Sequence, residues 1–402
     1  MASENLKNTI YSLLSNLVNI AFPLLIIPII IDSFGLSGYG YFATILSSAV
    51  IISLILDLGF TQGIPKHLLD NRITINKAIK LIVLSKIPLI LISSIIVLYV
   101  ANKEDAVFII FISISLTFSL EPIMYGAEKY RKILSLQVIC KSIYCLMVLF
   151  IFFFDGEIYS IFISYGSSYL LLNVLYFFSL INEPSYDIDN RENNIEIFKD
   201  CLKFHFSKMF VNVYQQSSVF FVSIFNGHDI TGVYSLGNQL YKVAQSIIGS
   251  IAKVSYTNML KNRNLETLMV TVKTVFICYF LGFIVVLLFG EYILNYIFDS
   301  SSYLYISCLV FYSSLSFVIL SSFFGYPYLT PIGKEKYSHM GLVLSSCTYF
   351  FLFLISVITN ETSIITFSFL ILIADFSGAM YRTYYSIKYR NYYEFEKFKK
   401  AD

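Results

Sequence analysis

The chain alternates long apolar runs with short polar breaks, and two of the runs carry a second pattern. Within 204–225 and 230–256, polar residues recur every three or four positions. Lys208, Asn212, Gln215 and Gln216 share one helical face in the first run. Ser235, Asn238, Gln239, Lys242, Gln245, Ser246, Gly249 and Lys253 share one in the second. Steps of three and four are the period of an α-helix. In water such a stripe faces solvent. In a bilayer it must face another helix or a hydrated cavity, because lipid satisfies no polar group. Eight polar or small positions on one helix exceed what a single interhelical contact needs, so the stripe predicts a wet cavity more than helix–helix glue.

A spanning helix takes about 20 mainly apolar residues. The sequence offers twelve such runs: 10–31, 39–60, 78–100, 106–126, 134–154, 158–181, 204–225, 230–256, 268–290, 302–325, 338–358 and 362–387. The expected fold is an all-α integral membrane protein, with twelve transmembrane helices in two six-helix pseudo-symmetric lobes around a central cavity. Residues 1–181 form the first lobe, 182–203 a cytoplasmic linker, and 204–402 the second lobe with a short basic tail. Composition agrees. The 402 residues are 57% hydrophobic and 13% charged, with a mean hydropathy of +0.71, whereas a soluble domain is roughly 25% charged. Trp is absent, so the 32 Tyr must supply any interfacial aromatic belt. The six Cys form no CxxC, and five lie in apolar runs, as small buried hydrophobes rather than metal ligands or disulfides. The first run is too long for the apolar core of a cleavable signal peptide.

Charge fixes the expected orientation. With the N-terminus in the cytoplasm, the inner connections collect the loop Lys and Arg, including Lys66, Arg72, Lys129, Arg131, Lys334, Arg382 and Lys388, while the outer connections carry Lys103 alone. This asymmetry places both termini inside. The outer loops are short, too small for a catalytic platform.

The halves echo one another. Gly35 and Gly40 follow the first run, and Gly227 and Gly232 repeat that spacing after the seventh. Gly126-Ala-Glu-Lys-Tyr130 matches Gly333-Lys-Glu-Lys-Tyr337. Six helices is an even number, so the repeats are parallel, and the site is expected at their interface. Pro23 and Pro28 are expected to break the first helix and are candidates for a gating hinge; Pro88 and Pro122 interrupt the third and fourth.

Ionisable residues at helix centres cost roughly 2.5–3.5 kcal/mol each on insertion scales. Lys208, Lys253 and Lys273 sit at inner helix ends, where they can snorkel. Asp57 and Glu121 lie near inner ends, where Lys66 or Lys129 could pair with them. Lys86 and Lys141 lie a third of the way in, and Lys242 and Asp375 near mid-helix, where each could offset the other. Intramembrane lysines outnumber carboxylates, and no arginine is expected among them. A basic cavity open to the cytoplasm would attract an anion. Lys86, Lys141, Lys208, Asn212, Gln215, Gln216, Asn238, Gln239, Lys242, Gln245 and Lys253 are therefore the candidate substrate contacts, and Asp57, Glu121 and Asp375 the candidates for ion coupling. His205, His339 and His67 are expected to be structural. No catalytic residue, metal site or cofactor is expected, and no nucleic-acid partner.

Asn19, Phe22-Pro23-Leu24-Leu25, Pro28, Phe34-Gly35, Gly38-Tyr39-Gly40 and Asp57-Leu-Gly-Phe60 resemble the opening of the bacterial polysaccharide repeat-unit flippases (Wzx-type, O-antigen translocases), as do Glu121-Pro122 through Lys129, Gly232-Val-Tyr-Ser235 and Gly333-Lys-Glu335 further on. That family belongs to the multidrug/oligosaccharidyl-lipid/polysaccharide exporter (MOP) superfamily. The resemblance covers essentially the whole chain. It implies an alternating-access transporter of the cytoplasmic membrane that flips undecaprenyl-pyrophosphate-linked oligosaccharide from the inner to the outer leaflet. The cavity would be lined by helices 1, 2, 7 and 8; Ser12, Ser15, Asn16 and Asn19 stripe the first. Membrane lipids, and the polymerase and chain-length regulator of the same pathway, are the implied partners. Two other readings stay open. A drug exporter of the same superfamily would favour an acidic cavity, and a membrane polymerase or glycosyltransferase would need large outer loops.

Overall fold

Every described element is helical. The computed structural model describes residues 2–181, 194–298 and 302–391. The expected linker segment 182–193 lies outside the described residues, as do the tail from 392 and the side chains of Lys208 and Asn212. The helices are α1 (Ala2–Ile55), α2 (Phe60–Leu69), α3 (Ile75–Val100), α4 (Lys103–Thr117), α5 (Glu121–Gly126), α6 (Tyr130–Phe153) and α7 (Ile158–Ile181). They continue as α8 (Asn194–Asn262), α9 (Leu265–Phe298), α10 (Ser302–Phe324), α11 (Tyr326–Leu329), α12 (Glu335–Ile358) and α13 (Ile364–Lys388), with a 3₁₀ turn at Thr330–Ile332 before α12.

Among the described residues, nine helices are long and apolar enough to cross a membrane. One of them, Ile10–Ile55, holds the first expected span and the second as far as Ile55, short of its expected end at 60. α8 holds the seventh and eighth but is not among the nine, since its polar stripes lower its hydropathy.

Both long helices are interrupted by glycine rather than proline. Gly35 sits at φ 70°, ψ 178° inside α1, and Gly227 at φ 76°, ψ 177° inside α8. Side chains other than hydrogen are strongly disfavoured there. The first glycine echo is thus a shared backbone device. The expected break at Pro23 and Pro28 is not seen: α1 runs helically through both, and its one non-helical residue is Gly35. α3 likewise continues through Pro88. A lost N–H bond alone does not end a membrane helix when neighbours re-satisfy the carbonyl.

The second echo is real but shifted. Pro122 and Pro327 stand in the first turns of α5 and α11. Each short helix closes on a left-handed residue, Glu128 (φ 55°) and Gly333 (φ 70°). The next amides, of Lys129 and Lys334, then donate back to Met124 and Leu329 at 3.0 and 2.9 Å. Helices of 24 residues follow in both cases. Gly333 therefore corresponds to Glu128, two residues after the Gly126 that the sequence match had paired with it. The turn requires a left-handed residue at that point, which glycine takes freely and glutamate at some cost.

The chain forms two compact units, Met1–Phe220 and Phe221–Asp402. In the first, α1 packs on α4 and α6, α6 on α7, and α2 on α5; in the second, α13 packs on α10 and α12. The division falls inside α8, later than the expected boundary at 204. The start of α8 belongs to the first unit because Ile197 and Cys201 are fully buried against Phe60, Ile64 and Met124. Gly59 and Gly63 permit that approach, since a Cβ on either would collide with Cys201.

Glycine conformation yields a paired prediction. Gly35, Gly227 and the helical Gly249 all have open space around an added Cβ. Gly35→Ala and Gly227→Ala should each lower stability by about 1–3 kcal/mol from backbone strain. Gly249→Ala should raise it by up to about 1 kcal/mol. Thermal unfolding in detergent checks all three.

Candidate functional site

The first unit is organised around a break in its fourth apolar run. α4 ends at Thr117 and α5 begins at Glu121. A break in a membrane helix strands backbone groups that lipid cannot satisfy. Here side chains meet them. Lys86 Nζ donates to the Thr117 carbonyl at 2.7 Å. Asn173 Nδ2 donates to the Ser115 carbonyl at 2.9 Å, and its Oδ1 accepts from the Leu120 amide at 3.3 Å. Lys86 is only 3% exposed, and its ammonium also lies 5.5 Å from the centre of the Phe60 ring. A cation at the carbonyl end of α4 is favoured by the helix dipole as well as by the hydrogen bond.

A cavity of about 220 Å³ opens beside the break, lined by Asp57, Thr61, Lys86, Thr117, Glu121 and His205 among others. It gathers three expected site residues, Asp57, Lys86 and Glu121, beside His205. Thr61 donates its hydroxyl to Asp57 at 2.6 Å. Glu121 accepts from Gln137 Nε2 at 3.3 Å, and Gln137 in turn accepts from Ser15. The hydroxyl of Thr117 is buried without a hydrogen-bond partner. Lys141 lies outside this cavity. It is buried and donates to Tyr169 Oη at 2.9 Å, with its ammonium 4.7 Å from that ring's centre.

In the second unit the polar stripe of α8 changes character along its length. Ser235 and Asn238 are 5% and 1% exposed. Gln239, Lys242, Gln245 and Ser246 are half-buried, and Gly249 and Lys253 are exposed. The buried end is unsatisfied: Ser235 Oγ and Asn238 Nδ2 have no hydrogen-bond partner. Gln245 Nε2 donates to Tyr241 Oη at 3.4 Å, and Tyr241 donates to Asp375 at 2.5 Å. Ser314 donates to the same carboxylate oxygen. These bonds to buried Asp375 thus come from neutral hydroxyls. In the first unit, Gln215 and Gln216 are half-buried, and Gln215 donates to Tyr214 Oη at 3.3 Å.

One expectation about charge is overturned. Arg382, assigned to a cytoplasmic connection, lies within the apolar helix Ile364–Lys388 and is 4% exposed. Its Nε and Nη2 donate to the Ser338 carbonyl at 3.0 and 2.8 Å, and its Nη1 to the Ser321 carbonyl at 3.0 Å. It packs against Gly325 and Gly341, where a Cβ would strike it. Its position inside the run 362–387 was the available signal. Asn173 and Gln137 gave none, since a single amide in an apolar run has no partner visible in sequence.

These bonds predict unequal tolerance. Asn173→Leu should cost about 1–3 kcal/mol by stranding the Ser115 carbonyl and Leu120 amide. Arg382→Lys should cost at least about 1.5 kcal/mol, because an ammonium lacks the planar fork that spans Ser321 and Ser338. Detergent unfolding of the purified variants measures both.

Against known proteins, the family model described as polysaccharide biosynthesis protein matches residues 5–262. No curated protein sequence matches the chain. Several solved structures share the fold at low identity. The lipid II flippase MurJ, in an inward closed conformation, superposes with a TM-score of 0.69 at 15% identity, covering 95% of this chain and 87% of that one. The eukaryotic MATE transporter AtDTX14 gives 0.63 at 16% identity, covering 96% of each. A MOP superfamily transporter from Pyrococcus furiosus gives 0.60 at 13% identity, covering 97% of this chain and 96% of that one. With a family match over more than half its length and the fold of membrane transporters, this multi-pass membrane chain belongs to the polysaccharide biosynthesis protein family.

Proposed function

We propose that the chain is an alternating-access flippase. It moves undecaprenyl-pyrophosphate-linked oligosaccharide repeat units from the inner to the outer leaflet of the cytoplasmic membrane, through twelve spans in two six-helix lobes with both termini inside. One observation carries the reading beyond family and fold. The stripe on α8 runs from exposed Lys253 to buried Asn238 and Ser235, and the Nδ2 of Asn238 and the Oγ of Ser235 lack partners. A buried donor without a partner costs about 1–3 kcal/mol, and a sugar hydroxyl would meet it. Lys253 and Lys242, with Lys208 on the same helix, are the basic groups that would draw in the pyrophosphate; Gln215, Gln216, Gln239 and Gln245 would contact the oligosaccharide. Lys86 and Lys141 donate to groups of their own unit, so we assign them internal roles. Asp375, held by two hydroxyls, and Glu121 are the groups we would test for ion coupling. The polymerase and chain-length regulator of the pathway would take the product.

Two experiments test this. In a deletion strain, lipid-linked repeat units should accumulate on the cytoplasmic side and surface polymer should disappear. Drug sensitivity with normal polymer would instead identify an exporter, and single units on the outer leaflet a polymerase. Within the protein, Asn238→Leu removes the orphaned donor and should leave thermal stability equal or higher. It should nonetheless lower surface polysaccharide about five- to thirtyfold, the factor that 1–2 kcal/mol of lost binding carries.

A further inference from the structure

The cavity beside the broken helix has the chemistry of an alkali-cation site. Its wall offers hard oxygen donors: the Thr117 carbonyl at the free end of α4, the carboxylates of Asp57 and Glu121, and the hydroxyl of Thr61. Free carbonyl ends of discontinuous helices, together with carboxylates, are the donor set that binds sodium in membrane transporters, and hard cations prefer all-oxygen surroundings. A second observation points to a ligand independently. Thr117 is 1% exposed, lines the cavity, and its Oγ1 has no hydrogen-bond partner.

A positive charge already stands there. The ammonium of Lys86 reaches the Thr117 carbonyl at 2.7 Å from a side chain that is 3% exposed, and Asp57 attracts it. The ammonium and a sodium ion carry the same charge and compete for the same oxygens.

We infer that Lys86 is a built-in substitute for an exchangeable monovalent cation, so that this cavity binds sodium only when the lysine is removed. Sodium dependence of transport then cannot originate here, which leaves proton coupling as the role to test at Glu121. The inference goes beyond the flippase reading and holds whatever the substrate.

The test is sodium binding to the purified full-length chain, by equilibrium dialysis with radioactive sodium in choline chloride. Lys86→Met should gain about one sodium per chain over the wild type, and adding Asp57→Asn should remove it. The wild type should show no sodium binding that Asp57→Asn or Thr117→Val abolishes. Lys86→Met protein that elutes as a folded monodisperse species yet gains no sodium overturns the proposal. Should that variant fail to fold, the wild-type arm still decides: binding by the wild type that Asp57→Asn or Thr117→Val removes overturns the proposal, and binding that neither changes supports it. Because the readout is sodium and not lipid-linked sugar, failure here leaves the flippase assignment untouched.

Discussion

A polar backbone inside hydrocarbon must find its own partners, and the interior of both units follows from that constraint. Where α4 stops at Thr117 and α5 restarts at Glu121, the carbonyls of Ser115 and Thr117 and the amide of Leu120 lose their helical partners. Asn173 and Lys86 exist in the core to replace them. In the second unit Arg382 donates to the carbonyls of Ser321 and Ser338, the first of which also accepts from the Gly325 amide at 3.1 Å. Stranding the groups at the α4 break would cost on the order of several kcal/mol in lipid.

This changes what an intramembrane lysine means. Lys86, Lys141 and Lys242 all lie within apolar runs, and together they suggest a basic cavity. Their surroundings separate them. Lys86 and Lys141 are buried and donate to a carbonyl and a tyrosine hydroxyl of their own unit, whereas Lys242 lies half-buried on the stripe that ends at exposed Lys253. Two of the lysines that suggested a basic cavity are thus engaged within their own unit. The carboxylates divide similarly. Asp57 and Glu121 share a cavity with a cation, while Asp375 is held by the hydroxyls of Tyr241 and Ser314.

The two units solve the same backbone problems with different side chains. Extended glycines at Gly35 and Gly227, prolines opening α5 and α11, and left-handed residues at Glu128 and Gly333 recur in order. Yet Lys86 has no sequence counterpart in Arg382, which comes from a different helix of its unit. What repeats is backbone geometry, which tolerates few residue types. What differs is the identity of the donors: a lysine and an asparagine in the first unit, an arginine in the second.

The sequence by itself determined the helical membrane fold and its apolar spans, the polar stripe of α8 and the glycines that interrupt α1 and α8. All of these are local: hydropathy over about 20 residues, a period of 3.6, and a backbone conformation that glycine nearly monopolises. The residues that meet at the site were not legible in this way. Asn173 with Leu120, Gln137 with Ser15, and Arg382 with Ser338 are joined across long stretches of chain, and nothing near any one of them names its partner. The register of the second repeat failed for the same reason, because a match of letters at Gly126 could not reveal that the turn places its left-handed residue at Glu128. Only the tertiary structure decided which buried charges answer the protein's own backbone, as Lys86 and Arg382 do, since that depends on what lies within about 3 Å of each in space.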